Sequence, residues 1–355
     1  LPKKFWLDMK LIRASAETAA RQIDAMRSEI ERNLTPASTK FLDLGVRVVR
    51  ILNYSSEFTP LMERQLTWSL RDTAERYDAT LVLWKTQGLR IREKDVVWVL
   101  DETWSRHTPV LMVNGEQETI TAFDKRTDTY YYGAEHLEPE EAIKQGHLFV
   151  QLLNRILKTP DTNLIHGACI GLNGKGVLLC ARGQQGKSTL AVHALLDGFE
   201  YVSDDYLTLE KSRDGLLAYP IYSIVTLSPQ MYNEMYEALQ GTRFVSNNAR
   251  RDKYVLNIAN LHARFRTAYP VQVCMLPEIF PGAEPSITRC LPAEKGAAIT
   301  RLVHSTISQM EDRQDTATVK KLIGMVRDFD FYKIRLCRDI YKNVACLRAF
   351  LLALK

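Results

Sequence analysis

Residues Val177 to Leu209 read VLLCARGQQGKSTLAVHALLDGFEYVSDDYLTL, and this stretch decides the fold. The apolar run VLLC enters a loop that carries Gly183 and Gly186, and Lys187-Ser188-Thr189 then opens a helix that Gly198 stops. A helix start has unpaired backbone N–H groups and the positive end of the dipole, and glycine lets the backbone close around phosphate oxygens. Lys187 is placed to reach the terminal phosphates and Ser188 to offer its hydroxyl to Mg²⁺, while Thr189 either assists at the metal or begins the helix. The phosphate-loop pattern G-x-x-x-x-G-K-[ST] is met except at its first position, where this chain has Ala181. Gly183, Gln184, Gln185, Gly186, Lys187, Ser188 and Thr189 are therefore the candidate nucleotide-binding positions, with ATP and Mg²⁺ as the implied ligands.

The next apolar run ends in Asp204-Asp205. Taken alone, an Asp pair reads as a turn or a helix cap. Directly after a phosphate-loop helix it sits at a strand end, where open α/β sheets bind ligands. One carboxylate can hold the metal directly or through water, and the other can take the proton of an attacking hydroxyl. His166 lies on the strand before the hairpin and, by alternation, points away from Cys169, which argues against a metal pair made from both. It reads either as a packed core histidine or as a partner for an aspartate or a phosphate. Arg251 and Lys253, in the run Asn248 to Tyr254, are a solvated loop or a source of charge for a transferring phosphoryl group. No zinc spacing, G-x-S-x-G elbow or G-x-G-x-x-G fingerprint is present.

Outward from this centre the pattern alternates. Leu164 to Leu172 and Val177 to Cys180 read as strands joined at Asn173-Gly174. Val271 to Leu276 and Tyr332 to Leu336 read as further strands, and helices are expected near Ser228 to Leu239, Ala293 to Ile307, Thr316 to Val326 and Asp339 to Leu354. Ahead of the centre, a helix is expected near Ile12 to Asn33, another from Thr59 to about Arg76, and a third from Pro139 to about Leu157. Gly45 to Asn53 and Ala79 to Trp84 read as strands, and Val96 to Leu100, Pro109 to Val113, Glu118 to Phe123 and Thr129 to Tyr132 suggest an antiparallel sheet. Trp98, Trp104 and Tyr130 to Tyr132 read as sheet packing. The expected class is α/β in a mixed α+β layout: a smaller α+β domain over residues 1–158, a candidate for partner or substrate binding, and a P-loop domain with a mixed sheet over 159–355.

The 355 residues suit two domains, and the excess of 47 Lys and Arg over 42 Asp and Glu, +5, demands neither a nucleic acid nor a membrane surface as partner. The six cysteines form no C-x-x-C pair, which fits reduced thiols. Charges at Lys3, Lys4, Asp8 and Lys10 break any signal-peptide pattern, so a cytoplasmic location is expected, although the sequence does not begin with Met. A homo-oligomer is left open.

His166-Gly167, the turn Asn173-Gly174-Lys175-Gly176, Ala181 to Ser188 and Val202-Ser203-Asp204-Asp205 together resemble the HPr kinase/phosphorylase catalytic domain, a family related to ATP-dependent phosphoenolpyruvate carboxykinase. The resemblance covers His166 to Leu209 well and the chain to about Leu302 more loosely. It implies an ATP- and Mg²⁺-dependent kinase in which Lys187 binds the β/γ-phosphates, Ser188 the Mg²⁺, Asp205 accepts the proton with Asp204 beside it near the metal, and His166 lies near the transferred phosphate. Ala181, Gly183 and Gln184 stand where the family has Gly, Ser and Gly. The segment that engages HPr in true HPr kinases has no good copy here, which points to a divergent relative. Such relatives accompany peptide-modification pathways, so Ser or Thr of a peptide or protein is the implied acceptor. A nucleotide-binding regulatory module without turnover and a small-molecule kinase are the competing readings.

Overall fold

The computed structural model describes residues 16–86, 110–114, 119–134, 147–181, 183, 185–240, 242–248, 253–308 and 316–354. The chain divides into two compact units: Leu1–Leu42, Val48–Pro60 and Arg71–Glu141 form the first, and Asp43–Arg47, Leu61–Leu70 and Ala142–Lys355 the second. The expected strand at 96–100, with Trp98 and Trp104, lies outside the described residues.

In the first unit, helix α1 (Ala16–Asn33) packs on a sheet of strands β1 (Ser38–Asp43), β2 (Val48–Asn53), β3 (Ala79–Lys85), β4 (Val110–Asn114), β5 (Thr119–Asp124) and β6 (Thr129–Ala134), which run in the order β1-β2-β3-β6-β5-β4. Of the antiparallel sheet expected from Val96 to Tyr132, the described strands β4, β5 and β6 pair antiparallel as expected. β3 pairs parallel with both β2 and β6, which makes the sheet as a whole mixed. The cause is legible in β3: six of its seven residues, ATLVLW, are buried, as befits a strand covered on both faces. Ile23, Met26 and Ile30 of α1 meet Val82, Trp84, Ile120 and Tyr131 in the core.

The helix expected from Thr59 to Arg76 ends at Gln65. Beyond it, Trp68 stacks on Phe265 at 3.8 Å and meets Tyr201 edge-on at 6.1 Å, contacts that a continued helix would turn away. Tertiary packing overrides local propensity here.

The second unit opens with α2 (Val150–Leu157), preceded by Phe149 at φ 60°, so the described part of the helix expected from Pro139 begins only at Val150. Strands β7 (Thr162–His166), β8 (Ala168–Leu172) and β9 (Lys175–Leu179) lead to helix α3 (Lys187–Leu196). β10 (Glu200–Ser203), β11 (Tyr206–Ser212) and β12 (Gly215–Pro220) follow, then β13 (Ile224–Leu227), helix α4 (Pro229–Glu234), β14 (Arg243–Asn248) and β15 (Lys253–Asn257). The chain closes with β16 (Tyr269–Ile279), β17 (Ser286–Arg289), helices α5 (Pro292–Ile307) and α6 (Thr316–Val326), β18 (Asp330–Leu336) and helix α7 (Ile340–Ala353).

The main sheet runs β10-β8-β9-β16-β12-β11-β7, with β18 beside β16 and β17 beside β18. It is mixed: β9 and β18 flank β16 in parallel, and the other ladders are antiparallel. Alternation splits the strand residues between two cores. Ala168, Ile170, Val177 and Leu179 join Leu190 of α3 and Leu347 of α7, while Ile165, Cys169, Leu178 and Cys180 join Leu302 of α5 and Leu322 of α6. Helices thus cover both faces, and the sheet positions the loop between β9 and α3. A separate three-stranded sheet, β13-β15-β14, was not expected. It takes Asn248, Lys253 and Tyr254 out of the loop read from sequence and into a β-hairpin ladder.

Candidate active site at the start of helix α3

The strand expected from Leu164 to Leu172 is broken at Gly167, and that break builds the site. β7–β8 and β10–β11 form one long antiparallel ladder, with His166 opposite Tyr206 and Cys169 opposite Ser203. The register is the same on both sides of the break, where Gly167-Ala168 faces Asp204-Asp205, and the Gly167 N–H donates to the Asp205 carbonyl at 3.0 Å. Asp205 adopts φ 61°, a left-handed conformation that Asp tolerates better than most side chains. This turn out of strand geometry brings two consecutive carboxylates to the same place although strand neighbours ordinarily face opposite ways.

That place is the start of α3. Gly186 caps the helix at φ 83°, and its carbonyl accepts from the Leu190 N–H at 2.9 Å. Lys187, the first helical residue, sends its Nζ to Asp204 Oδ1 at 3.2 Å and to Asp205 Oδ1 at 3.1 Å. The Lys187 and Asp204 side chains are 6% and 0% exposed, and Asp205 keeps 23%. His166 Nε2 lies 3.8 Å from Asp205 Oδ1, and His147 Nε2 3.9 Å from Asp205 Oδ2. The His147 ring meets Tyr206 and Tyr222 edge-on at 4.8 and 4.6 Å, which fixes its plane.

The electrostatics follow from this crowding. Burial works against the Lys187 ammonium, but the two carboxylates outweigh it and raise its pKa above the ordinary lysine value. Burial likewise works against the Asp205 carboxylate, and Lys187 with the two imidazoles overrides it, holding the pKa well below the usual carboxylate range. Asp204 Oδ2 is buried and has no hydrogen-bond partner among the described residues. An unmatched carboxylate oxygen next to a helix start fits a divalent cation, whose hard charge prefers oxygen ligands. Beside the loop lies a cavity of about 420 Å³ at the ends of β9 and β16, lined among others by Cys180, Ala181, Gln185, Glu278 and Arg301, with Arg301 Nη1 on Glu278 Oε1 at 3.1 Å.

Of the residues singled out from sequence, Lys187, Asp204, Asp205 and His166 converge. Gly183, Gln185, Gly186, Ser188 and Thr189 occupy the loop and first turn of α3. Gln184 and Arg251 lie outside the described residues. Lys253 begins β15 in the separate sheet and is not among the groups that meet at Lys187. His147 was missed. Its sequence context, Gly146-His147-Leu148-Phe149, carries no motif spacing, and only the fold brings it to Asp205.

A two-unit α/β chain with a lysine–carboxylate cluster at a helix start is the class that fold and site define. No protein-family model matches the chain, and no curated protein does. Among solved structures it is similar to the Hpr(Ser) kinase/phosphatase from Coxiella burnetii, at 12% identity and a TM-score of 0.31 over 54% of this chain and 97% of that one. A likeness this remote carries no argument about activity, which rests on the site itself. No helix of the described residues is long and apolar enough to cross a membrane.

Proposed function

We propose that the second unit is an ATP- and Mg²⁺-dependent kinase that transfers the γ-phosphoryl group to a hydroxyl, with Ser or Thr of a peptide or protein as the favoured acceptor. The observation that carries this reading is the meeting of Lys187 with Asp204 and Asp205, at 3.1–3.2 Å, on the first turn of a helix capped by left-handed Gly186.

The parts have complementary roles. Backbone N–H groups at the start of α3 receive phosphate oxygens. The cavity beside Ala181 and Gln185 takes the nucleoside. Ser188 and the unmatched Oδ2 of Asp204 would hold Mg²⁺, which when bound supplies charge neutralisation for the triphosphate. Lys187 is shared by two carboxylates and leaves them for the terminal phosphates as the nucleotide enters. Its departure removes the charge that depresses Asp205, whose pKa then rises toward that of a working base. The acceptor oxygen bonds to the γ-phosphorus as the β–γ bridging bond breaks. The hydroxyl proton passes to Asp205, where His166 and His147 flank the carboxylate, and ADP departs.

The test is transfer of label from γ-labelled ATP to a panel of Ser- and Thr-containing peptides, read by mass spectrometry. Asp205→Asn is expected to slow transfer by roughly 10²–10⁴-fold, the usual worth of a general base. Transfer undiminished in Lys187→Ala would refute the assignment.

A further inference from the structure

The first unit holds a second cleft, of about 200 Å³, between α1 and the sheet face made by β2, β3 and β6. Arg50, Glu31, Tyr54, Thr80, Leu52 and Val82 line it. Its charges are provisioned unequally. Arg27 at its edge is fully engaged: its Nη2 bonds Asp124, which is wholly buried, and its Nε donates to the Tyr131 hydroxyl at 2.7 Å. Arg126 bonds both Asp124 and Asp24, and Asp24 lies 3.8 Å from Arg27 Nη1 as well.

Arg50 is different. It is held on one side by the Tyr77 ring, 4.3 Å from its guanidinium carbon, and on another by Thr80, whose hydroxyl accepts from Nη2 at 3.2 Å. Among the described residues it has no carboxylate partner, and its Nε is buried without an acceptor. A buried guanidinium N–H left without an acceptor is costly unless something else completes it. Glu31, exposed on α1, likewise has no ion pair among the described residues. Both charges act at one point: Tyr54, whose hydroxyl burial and Glu31 push up in pKa while Arg50 pulls it down.

We propose that this cleft binds a zwitterionic ligand of amino-acid size, its carboxylate on Arg50, its ammonium on Glu31 and its apolar side chain over Leu52 and Val82. Three observations select this class. The volume lies below the roughly 300–1,000 Å³ typical of sites for drug-sized ligands. The flat, uncommitted guanidinium matches a carboxylate's two oxygens. A phosphate dianion would suit Arg50 but be repelled by Glu31, and a simple cation would face the reverse conflict; only a molecule with both charges satisfies both walls. This site is separate from the phosphate loop and stands whether or not the kinase reading does.

Titration calorimetry on the full chain tests it, with L-leucine and L-phenylalanine as probes, N-acetyl-L-leucine lacking the ammonium and L-leucinamide lacking the carboxylate. The free amino acids are expected to bind in the sub-millimolar range, and each charge-deleted analogue about tenfold or more weakly. Arg50→Gln should erase the preference for leucine over leucinamide, and Glu31→Gln that for leucine over N-acetyl-leucine. Each preference compares two ligands on one protein, so a general loss of folding does not imitate it, and Arg50→Lys, which keeps the cation, should retain part of the first. Absence of saturable heat with leucine and phenylalanine overturns the proposal, as do preferences unchanged in both variants. Equal binding of leucine and N-acetyl-leucine also overturns it, in favour of a plain carboxylate such as a peptide C-terminus.

Discussion

At the scale of single residues, Lys187 is the keystone of the second unit's site. Replacing it by Met strands Asp204 in a place with no exposure, with Asp205 beside it. Removing one partner of a buried ion pair typically costs about 3–5 kcal/mol, so urea unfolding of Lys187→Met should show a loss near the lower end, since Asp205 retains some solvent. Lys187→Met/Asp204→Asn should recover part of it. A simple sum of the single losses would mean that the two groups act independently.

Asp205 makes a pH prediction of definite sign. Its folded pKa is depressed, so the unfolded chain binds the proton more readily. Its contribution to stability is complete above the ordinary aspartate value, about 3.9, and fades as pH falls from there through the depressed folded value. Urea midpoints measured from neutral to acid should drop less steeply in Asp205→Asn than in the parent. Asn also tolerates the left-handed φ of 61°, which makes it a better control than Ala.

At the scale of elements, the turn and the helix start were legible because their chemistry is local. Asn173-Gly174 supplies left-handed φ values of 52° and 78° to the β8–β9 hairpin, and Gly186 with Lys187 opens α3 where the motif places it. The Asp pair was legible as a strand end. Its aim was not, because the left-handed turn at Asp205, opposite Gly167, depends on two strands distant in sequence. Strands β11 and β13 were missed because Tyr206 to Leu209 and all of β13 are buried throughout and so lack the alternation that signals a half-buried strand. His147 was illegible for the reason that any lone histidine is.

One element-level prediction follows from close strand approach. A Cβ at Gly176 of β9 would sit 2.1 Å from the Pro270 carbonyl oxygen at the start of β16, and that backbone is held in a ladder. Gly176→Ala should cost about 1–3 kcal/mol, the range for overpacking a well-filled site, read by urea denaturation. At Gly186 the obstacle is the softer Leu336 side chain at 2.8 Å, but φ of 83° penalises any Cβ, so Gly186→Ala should cost about 1–2 kcal/mol and weaken nucleotide binding together.

At the scale of the whole molecule, each unit has its own core and its own cleft. Ligands that bind only the folded state stabilise it by about 2.7 kcal/mol at a hundredfold excess over Kd. Calorimetric scans should therefore show MgATP raising the transition of the second unit and leucine that of the first. A single transition moved equally by either ligand would mean that the units unfold together.

The long strand β16 gives this arrangement a last consequence. It is flanked on one side by β9, which feeds the phosphate loop, and on the other by β12 and then β18, and it carries Glu278 to the rim of the cavity. Its main-chain amides between Val273 and Met275, clamped by parallel neighbours on both edges, should be the last in the chain to trade hydrogen for deuterium. The slowest-exchanging backbone then lies directly beneath the place where the nucleotide is expected to bind, so the loop can flex on a foundation that does not.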